Sequence, residues 1–191
     1  LAEAKSISAG QDDTRAEIAT VTAGMMRVEA MLAARLATSP GDSTVIANAV
    51  EAHLDAEIDE YRDLHNSGRT LTAMPLLERL LARVDGTASG RILFRIKANI
   101  GHCLLALGKD TDAAAMLLAS YEHAPSEPKA IANKAFGLLL KGDWQKLLAF
   151  GKSGLAADPS NEWLAGYLVQ AARFDLTVTD PLGLVPDGLR E

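Results

Sequence analysis

The sequence is poor in cysteine and in positive charge, and each scarcity removes a class of protein. Its single thiol, Cys103, cannot close an internal disulfide or supply a multi-cysteine zinc or iron-sulfur site, so packing must hold the fold and a reducing, cytoplasmic setting is expected. Lys and Arg number 19 against 25 Asp and Glu, and the net charge of -6 is the wrong field for a phosphate backbone, which excludes nucleic acid as a partner. No apolar run approaches the roughly 20 residues of a membrane span. The opening LAEAKSISAG has neither the basic nor the apolar stretch of a secretory signal. Catalytic signatures are missing as well: there is no HExxH, GxGxxG or GxxxxGK[ST]. His53 and His65 are separated along the chain, His102 and His123 are isolated, and the adjacent His102 and Cys103 would point about 100° apart on a helix. No catalytic residue, metal ligand or cofactor is expected, and Cys103 reads as a buried core residue.

What the 191 residues do contain is 48% hydrophobic and 23% charged, the make-up of one domain or one compact array. The chain opens on Leu1 and closes on DPLGLVPDGLRE, and reads as a piece of a longer protein. Stretches rich in Ala and Leu alternate with short Gly, Asp, Pro and Ser clusters, and nowhere does the strict alternation of a strand persist. The fold is therefore expected to be all-α. Residues 1–43 carry a first helix that begins near Asp12 or Asp13 and ends before Ser39, with Ile18, Val21, Met25, Val28 and Leu32 in a narrow seam. That seam packs either on the rest of the domain or on a second copy as a homodimer. A second helix begins after Asp42 or Ser43 and runs to Gly68. Breaks then recur at Gly68, Asp85 to Gly90, Gly108, Pro125 to Pro128, Gly142 and Pro159, dividing the chain into antiparallel helical hairpins.

The breaks repeat. Gly108 and Gly142 are 34 residues apart, Pro125 and Pro159 are also 34 apart, and Ala98-Asn99 returns as Ala132-Asn133. With Asn99, Ile100, Gly101, Leu104, Gly108, Ala113, Leu117, Ser120 and Pro125, the stretch from residue 98 to 125 resembles the tetratricopeptide repeat family, whose period is 34. In such a repeat Gly101 lets two helices approach, Gly108 makes the turn, Ala113 and Ser120 keep the second helix slim, and Pro125 ends it. The next unit keeps Asn133, Ala135, Leu138, Gly142 and Pro159 but has Leu147 and Gly151, and Gly151 with Gly154 predicts a shifted or loosely packed helix. Between Gly68 and Gly108 the offset is 40, and the loop from Asp85 to Gly90 is expected to hold the surplus. A last helix, about Asn161 to Phe174, closes the array as a cap.

The resemblance thus implies an α-solenoid of about three hairpins over residues 44–175, with a C-terminal capping helix, an extra N-terminal helix, and an extended tail at 176–191. It also implies that the first helix of each pair lines a concave, ligand-holding face. The repeat register aligns Asp55, Arg95, Lys129 and Trp163, then Asp59, Asn99, Asn133 and Tyr167, then Arg62, His102, Phe136 and Gln170. Arg62, Arg95, Asn99, His102, Lys129, Asn133 and Phe136 are the expected peptide-binding residues, suited to an acidic or carboxylate-bearing segment. Asn99 and Lys129 match positions of the family's carboxylate clamp, whereas Ile58, Arg62 and Asn133 replace its other members. The expected function is a non-catalytic protein-interaction module of a larger bacterial protein. Two alternatives are a stand-alone secretion chaperone of the same repeat type, and a regulatory segment of an enzyme such as a signalling ATPase or nuclease.

Overall fold

The computed structural model describes residues 40–175 and 177–189. The seam of Ile18, Val21, Met25, Val28 and Leu32, and with it the homodimer expectation, lies outside the described residues. Those residues form seven α-helices and two short 3-10 turns, with no strand among them. The helices are α1 (Pro40–Asn66), α2 (Thr70–Val84), α3 (Gly90–Ala106), α4 (Asp110–Tyr121), α5 (Pro128–Lys141), α6 (Trp144–Ala157) and α7 (Glu162–Phe174). No helix among the described residues is long and apolar enough to cross a membrane. Two units are distinguished, Leu1–Ala52 and His53–Glu191. In the first, the described part is the start of α1, where Val45 and Val50 are exposed. It begins at Pro40 rather than after Asp42, because a first-turn proline forfeits only an amide that has no helical partner.

In the second unit the turns are set by glycine. Gly68, Gly108 and Gly142 adopt φ of +83°, +71° and +69°, the left-handed region that an L side chain avoids. The amides of Gly68 and Arg69 then bond back to the carbonyls of His65 and Leu64, closing α1 before α2 begins. Ser89 caps α3 by accepting from the Ile92 amide, and Pro128 opens α5. From α2 onward consecutive helices pack on each other, and α5 also touches α3 and α7. Gly101 is a point of close approach, since a Cβ there would lie 2.9 Å from the Leu117 side chain, and Ala113 and Ser120 are fully buried on the facing helix.

Three expectations are corrected. The six extra residues of the first period are not in the Asp85–Gly90 loop: α2 has 15 residues and α3 has 17, where α4 has 12 and α5 has 14. The surplus is one more helical turn at each side of the junction. Gly151 and Gly154 do not loosen α6, because each leaves room for a leucine of α7. A Cβ at Gly151 would meet Leu168 Cδ1 at 2.7 Å, and one at Gly154 would meet Leu164 Cδ2 at 2.5 Å. Nor is the tail extended: Leu182–Leu184 and Asp187–Leu189 form 3-10 turns that bury Val185 and lay Leu184 and Leu189 against the α6–α7 core.

Two apolar clusters result. One joins Leu54 and Ile58 of α1 to α2, α3 and Ala113 of α4, and the other joins α5, α6, α7 and Val185. A small group of Phe94, Ala98 and Ala130 lies between helices α3 and α5. Ile58 and Leu77 in the first cluster, and Leu147 and Leu168 in the second, are fully buried.

Candidate binding cleft

The second half of α1 is amphipathic in a way that splits its duties. Leu54 and Ile58 enter the core, while the carboxylates one position away, Asp55 and Asp59, emerge toward α3. There they meet Arg95, whose guanidinium pairs with both, and Arg91, which donates to Asp55 at 2.6 and 3.1 Å. Burial works against the Asp55 charge, but hydrogen bonds and the fields of Arg91 and Arg95 prevail and hold its carboxyl below the usual range. On the α2 side, Glu57 pairs with Arg83 and accepts the Tyr61 hydroxyl proton at 2.6 Å. Burial, then that carboxylate, push the phenol above its ordinary pKa.

Beyond this network the helices part into a cleft of about 390 Å³. Arg62, His65 and Asn66 come from the last turns of α1, Asn99 and His102 from α3, and Leu105 and Ala106 close the end. Three residues that the repeat register selects, Arg62, Asn99 and His102, are therefore brought together. His65 and Asn66 join them unpredicted, and their signal was positional: one helical turn past Arg62 the same face returns. His65 Nδ1 lies 3.0 Å from Thr70 Oγ1, which fixes the ring. Asn99 donates one amide hydrogen to the Arg95 carbonyl at 2.8 Å, and among the described residues its second hydrogen and its oxygen are uncommitted. Burial, and secondarily the neighbouring His65, lower the pKa of His102 from its ordinary 6.5, so the imidazole is neutral at pH 7. Arg62 pairs with Asp59 at 2.7 Å and Asp63 at 3.3 Å, with its side chain 44% exposed, so these pairs are weak and exchangeable.

The remaining expected residues are not in the cleft. Arg95 is committed to two carboxylates and only 21% exposed, so it serves first as a bridge between α1 and α3. Lys129 is exposed near the start of α5 with no ion pair among the described residues. Asn133 and Phe136 are half-buried along the same helix, and Phe136 stacks on Tyr167 of α7 with ring centroids 5.2 Å apart. Cys103 is fully buried and its thiol is pushed up to about 11 by that burial, which leaves it protonated and unreactive. No group of three or more metal-ligating side chains occurs among the described residues. Compared with protein families, curated proteins and solved structures, the chain matches none.

Proposed function

We propose that the chain is a protein-interaction module of the tetratricopeptide-repeat kind, in which the cleft between α1 and α3 anchors an acidic or carboxylate-bearing segment of a partner protein. The solenoid reading is supported by the left-handed glycines at the hairpin turns, the close approach at Gly101, the slim Ala113 and Ser120, and the packing of α5 on both α3 and α7. The observation that carries the binding role is the convergence of Arg62, Asn99 and His102, from two helices, on one cleft with His65 and Asn66. All five can donate hydrogen bonds, and an arriving carboxylate competes with Asp59 for Arg62 while Asp59 retains Arg95. Lys129 and Asn133, which the repeat register aligns with Arg95 and Asn99, lie outside the cleft on α5 and are secondary to this anchor. A module of a larger cytoplasmic protein of bacterial type remains the setting this reading favours.

The test uses a fluorescent twelve-residue peptide of alternating Gly and Glu with a free C-terminus, titrated in low salt. Binding should weaken about tenfold in Arg62→Glu, and again when salt is raised toward 0.5 M. Melting temperature should stay within about 2 °C, because Arg62 is a half-exposed surface residue. Equal affinity of wild type and Arg62→Glu, or equal binding of the corresponding Gly-Lys peptide, would overturn the assignment.

A further inference from the structure

A second concavity lies on the other side of α3. Asn99, His102, Leu105 and Ala106 face the polar cleft, whereas Ile100 and Leu104, about half a turn away at 100° per residue, form the floor of a groove of about 870 Å³ between α2 and α4. Its chemistry is different. The floor and inner walls are apolar, with Met74 and Leu81 from α2 and Met116 from α4, all three only half-buried. The upper walls are alanines, Ala82, Ala115 and Ala119, which let a backbone come close. The rim is acidic: Glu78, Asp85 and Asp112 are exposed, none is held in an ion pair among the described residues, and Lys109 is the single cation among the lining residues. Met74 to Asp85 runs along one face of α2 for about 16 Å, the length of three helical turns. Part of that length is the extra turn of α2, which supplies Ala82 and carries Asp85 at its end.

We infer that this groove docks one amphipathic helix with a basic rim, presented by a partner protein. Length and shape argue for a helix of about three turns, whose apolar residues at i, i+3 or i+4, and i+7 enter between Met74, Leu81 and Met116. Methionines adapt to the side chains that arrive, and the alanine walls allow the two-helix approach of about 8 to 10 Å. Charge selects the flanks, since Glu78, Asp85 and Asp112 complement Lys or Arg and repel an acidic helix. The groove thus takes the opposite charge from the cleft, and the module holds two partners or two segments of one.

The probe is an 18-residue helical peptide of Leu, Ala and Lys, with Leu on one face and Lys on its flanks, added to the full chain at 0.15 M salt. Amide shifts should change at Ala82, Ala115 and Ala119. Ala115→Trp, which fills the groove from an exposed position, should weaken binding at least tenfold, as should Glu78→Lys with Asp112→Lys. Ala82→Lys, which fills the wall and repels the Lys flanks, is a second blocking variant should the tryptophan perturb folding. Arg62→Glu should leave this affinity unchanged, which separates failure here from failure of the cleft. Equal binding of a composition-matched scrambled peptide, of the Glu-for-Lys peptide, or by both blocking variants would overturn the inference. A concentration-dependent mass that Ala115→Trp abolishes would also overturn it, by assigning the groove to a second copy of the chain.

Discussion

By sequence register the α1–α3 contact and the α5–α7 contact are the same contact two periods and four helices apart, yet they are made of different chemistry. Asp55 and Asp59 meet Arg95 in the first, and Phe136 stacks on Tyr167 in the second. The pattern extends beyond these pairs. Both tryptophans lie in the C-terminal half, where Trp144 stacks on Phe174 at 4.6 Å, Tyr121 meets Phe150 edge to face at 5.7 Å, and Lys134 sits 4.0 Å above the Tyr121 ring. The lesson is that a repeat register fixes where a helix-helix contact falls but leaves open whether charge or aromatic area fills it. The charged seam leaves polar groups at its edge, and that edge is the cleft. The aromatic seam leaves a half-buried face in which Asn133 and Phe136 have less room to change partners.

The largest effect should come from the packed half. Leu168→Ala removes a fully buried side chain and should cost about 3 kcal/mol in chemical denaturation. Gly151→Ala alone should destabilise by about 1 kcal/mol or more, because its Cβ meets Leu168. In the Leu168→Ala background it should instead stabilise, since the methyl enters the vacated space and alanine favours a helix by about 1 kcal/mol over glycine. Destabilisation in both backgrounds would show that α6 and α7 do not approach at Gly151.

A smaller effect distinguishes the two seams directly. A double-mutant cycle of Arg95→Met with Asp55→Asn should give a coupling of about 1 kcal/mol in low salt, a modest value because both groups are partly exposed, and much less in 1 M NaCl. The corresponding cycle of Phe136→Leu with Tyr167→Leu should give about 0.5 to 1.5 kcal/mol and ignore salt. Equal salt dependence of both cycles would erase the contrast. Because Arg95→Met leaves two carboxylates without their bridge, its effect on binding cannot be separated from its effect on folding, and Arg62 is the better probe of the cleft.

The smallest effect is the response to pH. The pKa of His102 is depressed by folding, so its contribution to stability is present above the ordinary 6.5 and is lost as pH falls below it. His102→Gln should flatten that part of the stability profile. Binding of the acidic peptide should move the other way and tighten as pH falls below 6.5, since an anion favours the imidazolium. A wild-type stability profile that matches His102→Gln from pH 7 to pH 5 would show that the ring is not shielded in the cleft.

Among the described residues the sequence alone determined the helical class and the turns that end α1, α3 and α5, because the information is local: an apolar period of 3.6, a left-handed position that only glycine fills cheaply at Gly68, Gly108 and Gly142, and small residues at Gly101, Ala113 and Ser120. It also brought Arg62, Asn99 and His102 into one register, since stepping along a helix fixes which side chains share a face. Tertiary structure decided the rest. Nothing local distinguishes an arginine left in solvent from one claimed by carboxylates about 40 residues earlier, so Arg95 looked like a free ligand group until Asp55 and Asp59 were placed beside it. Counting residues between two glycines reveals a surplus without saying whether loop or helix absorbs it, because both solutions satisfy the backbone and packing chooses between them. The same holds for Gly151 and Gly154, which weaken a helix in isolation and are required by the leucines of its neighbour, and for the tail, whose Val185 finds a buried site only after α6 and α7 have formed one. Propensity acts over a few residues, whereas burial is settled by atoms that meet only in the folded chain.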